Sequence, residues 1–193
     1  MERNSRNSQG YRLESQIREA YGKVVYTQTC HNKIMDRKLC CNDYLKISQI
    51  ILSAITSSGI LVYLFNQNWC ANAIGAVASV ILLALNTYSK NFNPVEVAQE
   101  HKVAADLLWK IREEYVSLLT DFEILSVEQI IEKRDELQER CSTIYSQYPG
   151  TDKKSYRKAQ KALKVEQEQS FSESEIDVML PDAVRRRNRN IRD

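Results

Sequence analysis

Two histidines and five cysteines are the side chains through which this sequence could hold a metal or attack a bond. A structural zinc site needs four soft donors that converge, commonly offered as spaced Cys and His pairs. Cys30, His31, Cys40 and Cys41 supply the donor types, yet two of them are adjacent, a poor helical chelate, and no Cys-x-x-Cys pair occurs. With Cys70 and Cys141 the count is odd and the spacing irregular, which reads as reduced thiols and not as a disulfide framework. His101 falls on an apolar helical stripe with no sequence partner at a catalytic spacing, so it reads as an interface histidine. Glu113-Glu114 and Asp135-Glu136 occupy ordinary exposed helix positions. No glycine-rich phosphate loop, His-Glu-x-x-His pair or nucleophile elbow is present. The expectation is a protein that is not an enzyme and that needs neither cofactor nor metal.

Charge narrows the partners. The net formal charge is only +2, which argues against direct nucleic-acid binding. The one dense basic group is Lys153, Lys154, Arg157, Lys158, Lys161 and Lys164, which could meet anionic headgroups or a nucleotide. A solvated helix face is its ordinary role.

The elements that would position these residues are set by residues 47–89. These 43 positions contain no Asp, Glu, Lys or Arg, whereas all 52 charged residues lie in the other 150. Two apolar runs, 47–65 and 69–88, flank the polar tripeptide Asn66-Gln67-Asn68. At about 1.5 Å per residue, a run of 19 just crosses a hydrocarbon core of about 30 Å. A soluble core would carry an occasional charge on the outer face of each helix, so the lipid bilayer is the expected partner. In the first run Gln49, Ser53 and Thr56 follow a 3–4 spacing; that face meets either a partner helix or water. In the second, Ala71, Gly75 and Ser79 are spaced by four and let helix backbones approach closely. Lys33, Arg37, Lys38 and Lys46 precede the runs and Lys90 and Lys102 follow them, while the turn has no charge. This places both termini in the cytoplasm and makes the chain a multi-pass protein of the inner membrane.

The flanks read as helix. Residues 1–10 are expected to be loose, and an amphipathic helix occupies 11–46 with Leu13, Ile17, Ala20, Tyr21 and Val24 on one stripe. No Pro stops it from continuing into the first run. A second helical region covers 93–169. It opens with Asn93 as cap and Pro94 at the first position, and its stripe holds His101, Ala105, Leu108, Ile111 and Tyr115. Ser126 to Gln129 reads as a capping box, Pro149-Gly150 as a stop, and Thr151 as the cap of the lysine-rich helix. Residues 170–193 are expected to be a polar and basic tail. The fold class is therefore all-α: an integral-membrane two-helix hairpin carrying long amphipathic cytoplasmic helices packed as a bundle.

This layout resembles the SLATT family of bacterial two-transmembrane effector domains. The matching features are the lead-in Tyr11-Arg12-Leu13-Glu14, the tight hairpin, the exit Phe92-Asn93-Pro94, the helix with Ala98, His101, Ala105 and Tyr115, and a late Leu180-Pro181. The similarity runs over residues 10–187 and looks closest to a branch found beside reverse transcriptases. It implies a pore-forming or membrane-disrupting effector that acts in antiviral defence by abortive infection. A nucleotide signal or a separate sensor protein would control it, since no appended sensing domain is found. Two helices cannot enclose an aqueous path, so a pore requires a homo-oligomer in which Gln49, Ser53 and Thr56 could face water. The other reading is a non-conducting scaffold that tethers a sensor or a reverse transcriptase to the membrane.

Overall fold

The computed structural model describes residues 2–66 and 69–185, and among them it contains helices and no strand. They are α1 (Glu2–Asn66), α2 (Trp69–Asn91), α3 (Pro94–Thr120), α4 (Val127–Gln147), α5 (Lys153–Lys164) and α6 (Glu173–Met179), followed by a 3-10 turn, Asp182–Val184. Gln67 and Asn68 of the expected turn, the side chain of Tyr63, and Arg186 and Arg187 of the basic tail lie outside the described residues.

α1 is one helix of 65 residues, about 100 Å at 1.5 Å per residue. No Pro removes a hydrogen bond inside it, so the charged half and the apolar half form a single rod. It begins at Glu2, ahead of the Tyr11 start that the apolar stripe gives. α2 turns back against the apolar half, and α3 continues that return along the charged half. The break between α2 and α3 is local: Asn93 Oδ1 accepts from the backbone N–H of Val95 (3.2 Å) and Glu96 (3.4 Å), with Pro94 supplying the preset first turn.

The charged half of α1 forms a bundle with α3, α4 and α5. Its core joins Leu13, Ile17 and Val24 of α1 to Leu108, Ile111, Tyr115 and Leu118 of α3 and Ile130, Leu137 and Ile144 of α4. α4 is opened by the Ser126–Gln129 box, with bonds of 3.3 and 2.9 Å. The cap of α5 falls on Asp152 and not on Thr151. The Asp152 carboxylate accepts from Ser155 N at 2.7 Å, and the Ser155 hydroxyl reaches back to Asp152 N at 3.3 Å. Asp outcompetes the preceding Thr because its carboxylate also receives Arg37 from α1. The helix stops at Lys164, five residues short of the expected end. Within the expected tail, α6 and the 3-10 turn are formed but bury no α6 residue.

The apolar halves behave differently from a core. Two helical stretches are long and apolar enough to cross a membrane, and only 6% and 11% of their most apolar windows are buried. Ile50, Leu64, Val80 and Leu83 are each about two-thirds exposed or more. A soluble bundle would bury such side chains, since each is worth roughly 1.5–3 kcal/mol when removed from water. Their exposure fits a lipid-facing surface.

Candidate functional site

The hairpin closes on two glycines. A Cβ on Gly59 would stand 2.8 Å from the Ala71 carbonyl oxygen and 3.2 Å from Gly75 Cα, so only glycine fits this crossing. A Cβ on Gly75 would meet Gly59 Cα and the Thr56 carbonyl oxygen at 3.6 Å, an ordinary contact. The tight partner is thus Gly59, which no small-residue stripe in its own helix announces: its neighbours four residues away are Ile55 and Tyr63. Of the stripe on α2, Gly75 is buried while Ala71 and Ser79 are half-buried, and Ala78 is buried beside them. Ser79 donates to the Ala76 carbonyl at 3.2 Å.

The polar stripe of α1 divides. Gln49 and Thr56 are half-buried, with the Thr56 backbone against Gly75, and the Thr56 hydroxyl donates to the Leu52 carbonyl at 2.9 Å. Ser53 lies on the exposed side. Of the three, Ser53 is the one the protomer leaves open to a neighbour.

About four turns of α1 before its apolar half, α1 and α3 are joined by a buried histidine pair. His31 Nδ1 and His101 Nδ1 are 2.8 Å apart, with ring centroids 4.9 Å apart and planes tilted by 46°. His101, without a sequence partner at a catalytic spacing, does have one in space: it meets His31 across 70 residues. The sequence could not show it, since only the packing of α3 on α1 brings them level. An Nδ1 to Nδ1 bond needs one ring protonated at Nδ1 and the other at Nε2. His31 is 3% and His101 4% exposed, and burial followed by the charge of His101 lowers the His31 pKa to about 4. The His101 pKa is also lowered, by burial first and then by Lys38 and Arg37, against the opposing pull of Glu100 and Asp152. At neutral pH the pair is uncharged. Ala105, Leu108 and Tyr115 are buried along the same face of α3, and burial raises the Tyr115 pKa to about 12.

α5 and the turn after it are fastened to the outside of α1 near this pair. Arg37 pairs with Asp152, holding its carboxyl well below the usual range. Lys33 pairs with Glu168 at 2.8 Å, Gln169 donates to Thr29 at 3.0 Å, and Arg112 of α3 donates to Gln169. Tyr156 stacks on Tyr26 with ring centroids 5.6 Å apart, and the Lys164 ammonium lies 5.9 Å over the Tyr26 ring. Cys30 is buried on this face, its thiol pKa raised by burial, while Cys40 and Cys41 are exposed. The four donors considered for zinc therefore do not converge; among the described residues no three metal-ligating side chains gather.

A family model, the SMODS and SLOG-associating 2TM effector domain family 4, matches residues 13–175. The chain belongs to this family. The matched SLATT span takes in the hairpin, the histidine pair and the α5 fastening, and it ends before Leu180-Pro181. Neither curated proteins nor solved structures gave a match. With two exposed apolar helices and membership of a two-transmembrane effector family, the protein is a membrane effector of the SLATT type.

Proposed function

We propose that the protein is an oligomeric effector of the inner membrane that forms a pore, or otherwise breaches the bilayer, in antiviral defence by abortive infection. A nucleotide signal or a partner sensor releases it. The observation that carries the reading is the continuity of α1. The residues fastened by α5 and α3 (Thr29, His31, Lys33, Arg37) and the glycine crossing at Gly59 belong to one unbroken helix. A ligand or sensor that shifts the α5 fastening would move the hairpin as a rod moves its far end, provided it binds the shifted state better. Lys33, Arg37, Lys38 and Lys46 before the hairpin and Lys90 after it support cytoplasmic termini. Ser53, exposed on the outer side of the hairpin, would face neighbouring copies or the water they enclose.

Induced expression together with the neighbouring genes should depolarise cells, read with a potential-sensitive dye. Ser53→Leu should suppress the depolarisation without reducing the carbonate-resistant membrane fraction. Unchanged potential with wild-type protein and all neighbouring genes active would refute the proposal. Full activity after exchange of the hairpin for an unrelated two-span anchor would favour a non-conducting scaffold instead.

A further inference from the structure

The end of the bundle farthest from the hairpin is acidic. Residues 113–139 hold nine acidic side chains and two basic ones. There, α3, the following loop and α4 leave a groove of about 440 Å³ with Leu118, Leu125 and Leu137 among its lining, rimmed by Glu114, Asp121 and Glu132. Glu114 is held by Arg140 through two bonds of 2.7 Å, and the one basic lining residue, Lys133, is paired with Glu136 at 2.8 Å. Asp121 and Glu132 have no ion pair among the described residues. An apolar floor under uncompensated carboxylates calls for a ligand that is both apolar and cationic.

The chain itself supplies one. After Gln169, which roots the segment on Thr29 and Arg112, the arm holds its own shape. Glu175 accepts from Ser172 N at 2.7 Å, and Arg185 donates to the carbonyls of Leu180 (2.9 Å) and Val178 (3.2 Å). Yet it packs little against the bundle: Val178 is 76% exposed, and Phe171, Met179 and Val184 are half exposed or more. Residues 184–192 read Val-Arg-Arg-Arg-Asn-Arg-Asn-Ile-Arg, four arginines between two aliphatic side chains and a fifth after them. An anionic bilayer would also attract arginines. The groove offers in addition a floor for Val184 and Ile191, at the end of the bundle remote from the apolar helices.

We propose that residues 184–192 of one copy dock in the acidic groove between α3 and α4 of a neighbouring copy, linking each protomer to the next. The head-to-tail contact closes into a ring if the rotation per copy allows it. The inference rests on the oligomeric reading above, but its test does not depend on membrane damage.

Two differently tagged full-length copies are co-expressed in a Cys40→Ser, Cys41→Ser, Cys70→Ser background, one with Val184→Cys and the other with Leu125→Cys. A short bismaleimide should join the two tags in native membranes. Asp121→Lys with Glu132→Lys on the groove copy should lower the joined product at least tenfold. Arg186→Glu, Arg187→Glu and Arg189→Glu on the arm copy should then restore it, a rescue that a misfolded groove would not give. Linkage only within one tag, or a yield indifferent to groove charge, overturns the proposal. So does an unlinked arm whose charge reversal instead releases the protein's polar part from phosphatidylglycerol vesicles. Intact linkage with unchanged membrane potential would leave the docking standing and refute the effector reading alone.

Discussion

Replacing His31 by Asn removes a titrating ring while leaving a neutral amide near the Nδ1 position, where His101 can still be met. The unfolded chain takes a proton at His31 near pH 6.5, whereas the folded chain refuses it until about pH 4. Above pH 6.5 the two states differ in nothing at this residue. As pH falls below 6.5, the unfolded state alone gains the proton, so the folded state loses stability until about pH 4, where the loss is complete. At about 1.4 kcal/mol per pH unit the full loss is about 3 kcal/mol, of which about 2 kcal/mol falls between pH 7.5 and 5. His101 acts in the same direction. Asp152 is held as a carboxylate by Arg37 and contributes in a separate window, losing its share only below its ordinary value of 3.8. Urea unfolding in detergent micelles, followed by circular dichroism from pH 7.5 to 5, isolates the histidines. The wild type should lose about 2 kcal/mol or more, and His31→Asn about 2 kcal/mol less than that. Parallel losses in the two proteins would refute the claim that His31 is buried uncharged.

Gly59→Ala puts a methyl 2.8 Å from the Ala71 carbonyl, so the hairpin must splay. A cost of about 1–3 kcal/mol is expected, read as faster hydrogen exchange in α2, whereas Gly75→Ala should cost less than half as much. Asp152→Ala removes the cap of α5 and the partner of Arg37 together. Loss of the cap alone is worth about 1 kcal/mol, and α5 amides should exchange several-fold faster while those of α3 do not. Leu108→Ala, at a fully buried core position, should lower stability by about 2–5 kcal/mol without changing membrane fractionation.

The hairpin was legible because lipid forbids charge, and 43 positions without one leave a mark that survives any packing detail. The caps at Asn93 and Ser126 were legible for a similar reason, since they act within four residues. What escaped depends on contacts between distant segments. Gly59 looks like a weak point of its own helix and becomes the closest crossing only when α2 lies on it. His101 reads as an apolar-stripe histidine and His31 as one of four candidate zinc donors, and only the packing of α3 on α1 makes them a hydrogen-bonded pair. The shift of the α5 cap from Thr151 to Asp152 likewise follows from Arg37, more than a hundred residues earlier. The spacing of Gln49, Ser53 and Thr56 suggests one face, but Thr56 lies against Gly75 of α2 and Gln49 is half-buried, while Ser53 is exposed.

The length of α1 also fixes an order of events during synthesis. Its apolar half can enter the bilayer once α2 has emerged, while the stripe of Leu13, Ile17 and Val24 still waits for its partners on α3. The chain from Asn91, where α2 ends, to Leu118 takes about 1–5 s to make at about 5–20 residues per second. For that interval the charged half of α1 is an amphipathic helix tethered to the membrane with nothing to cover its apolar side. The bundle must therefore assemble on an anchored template, and the arm after α6 becomes available only when that template is already closed.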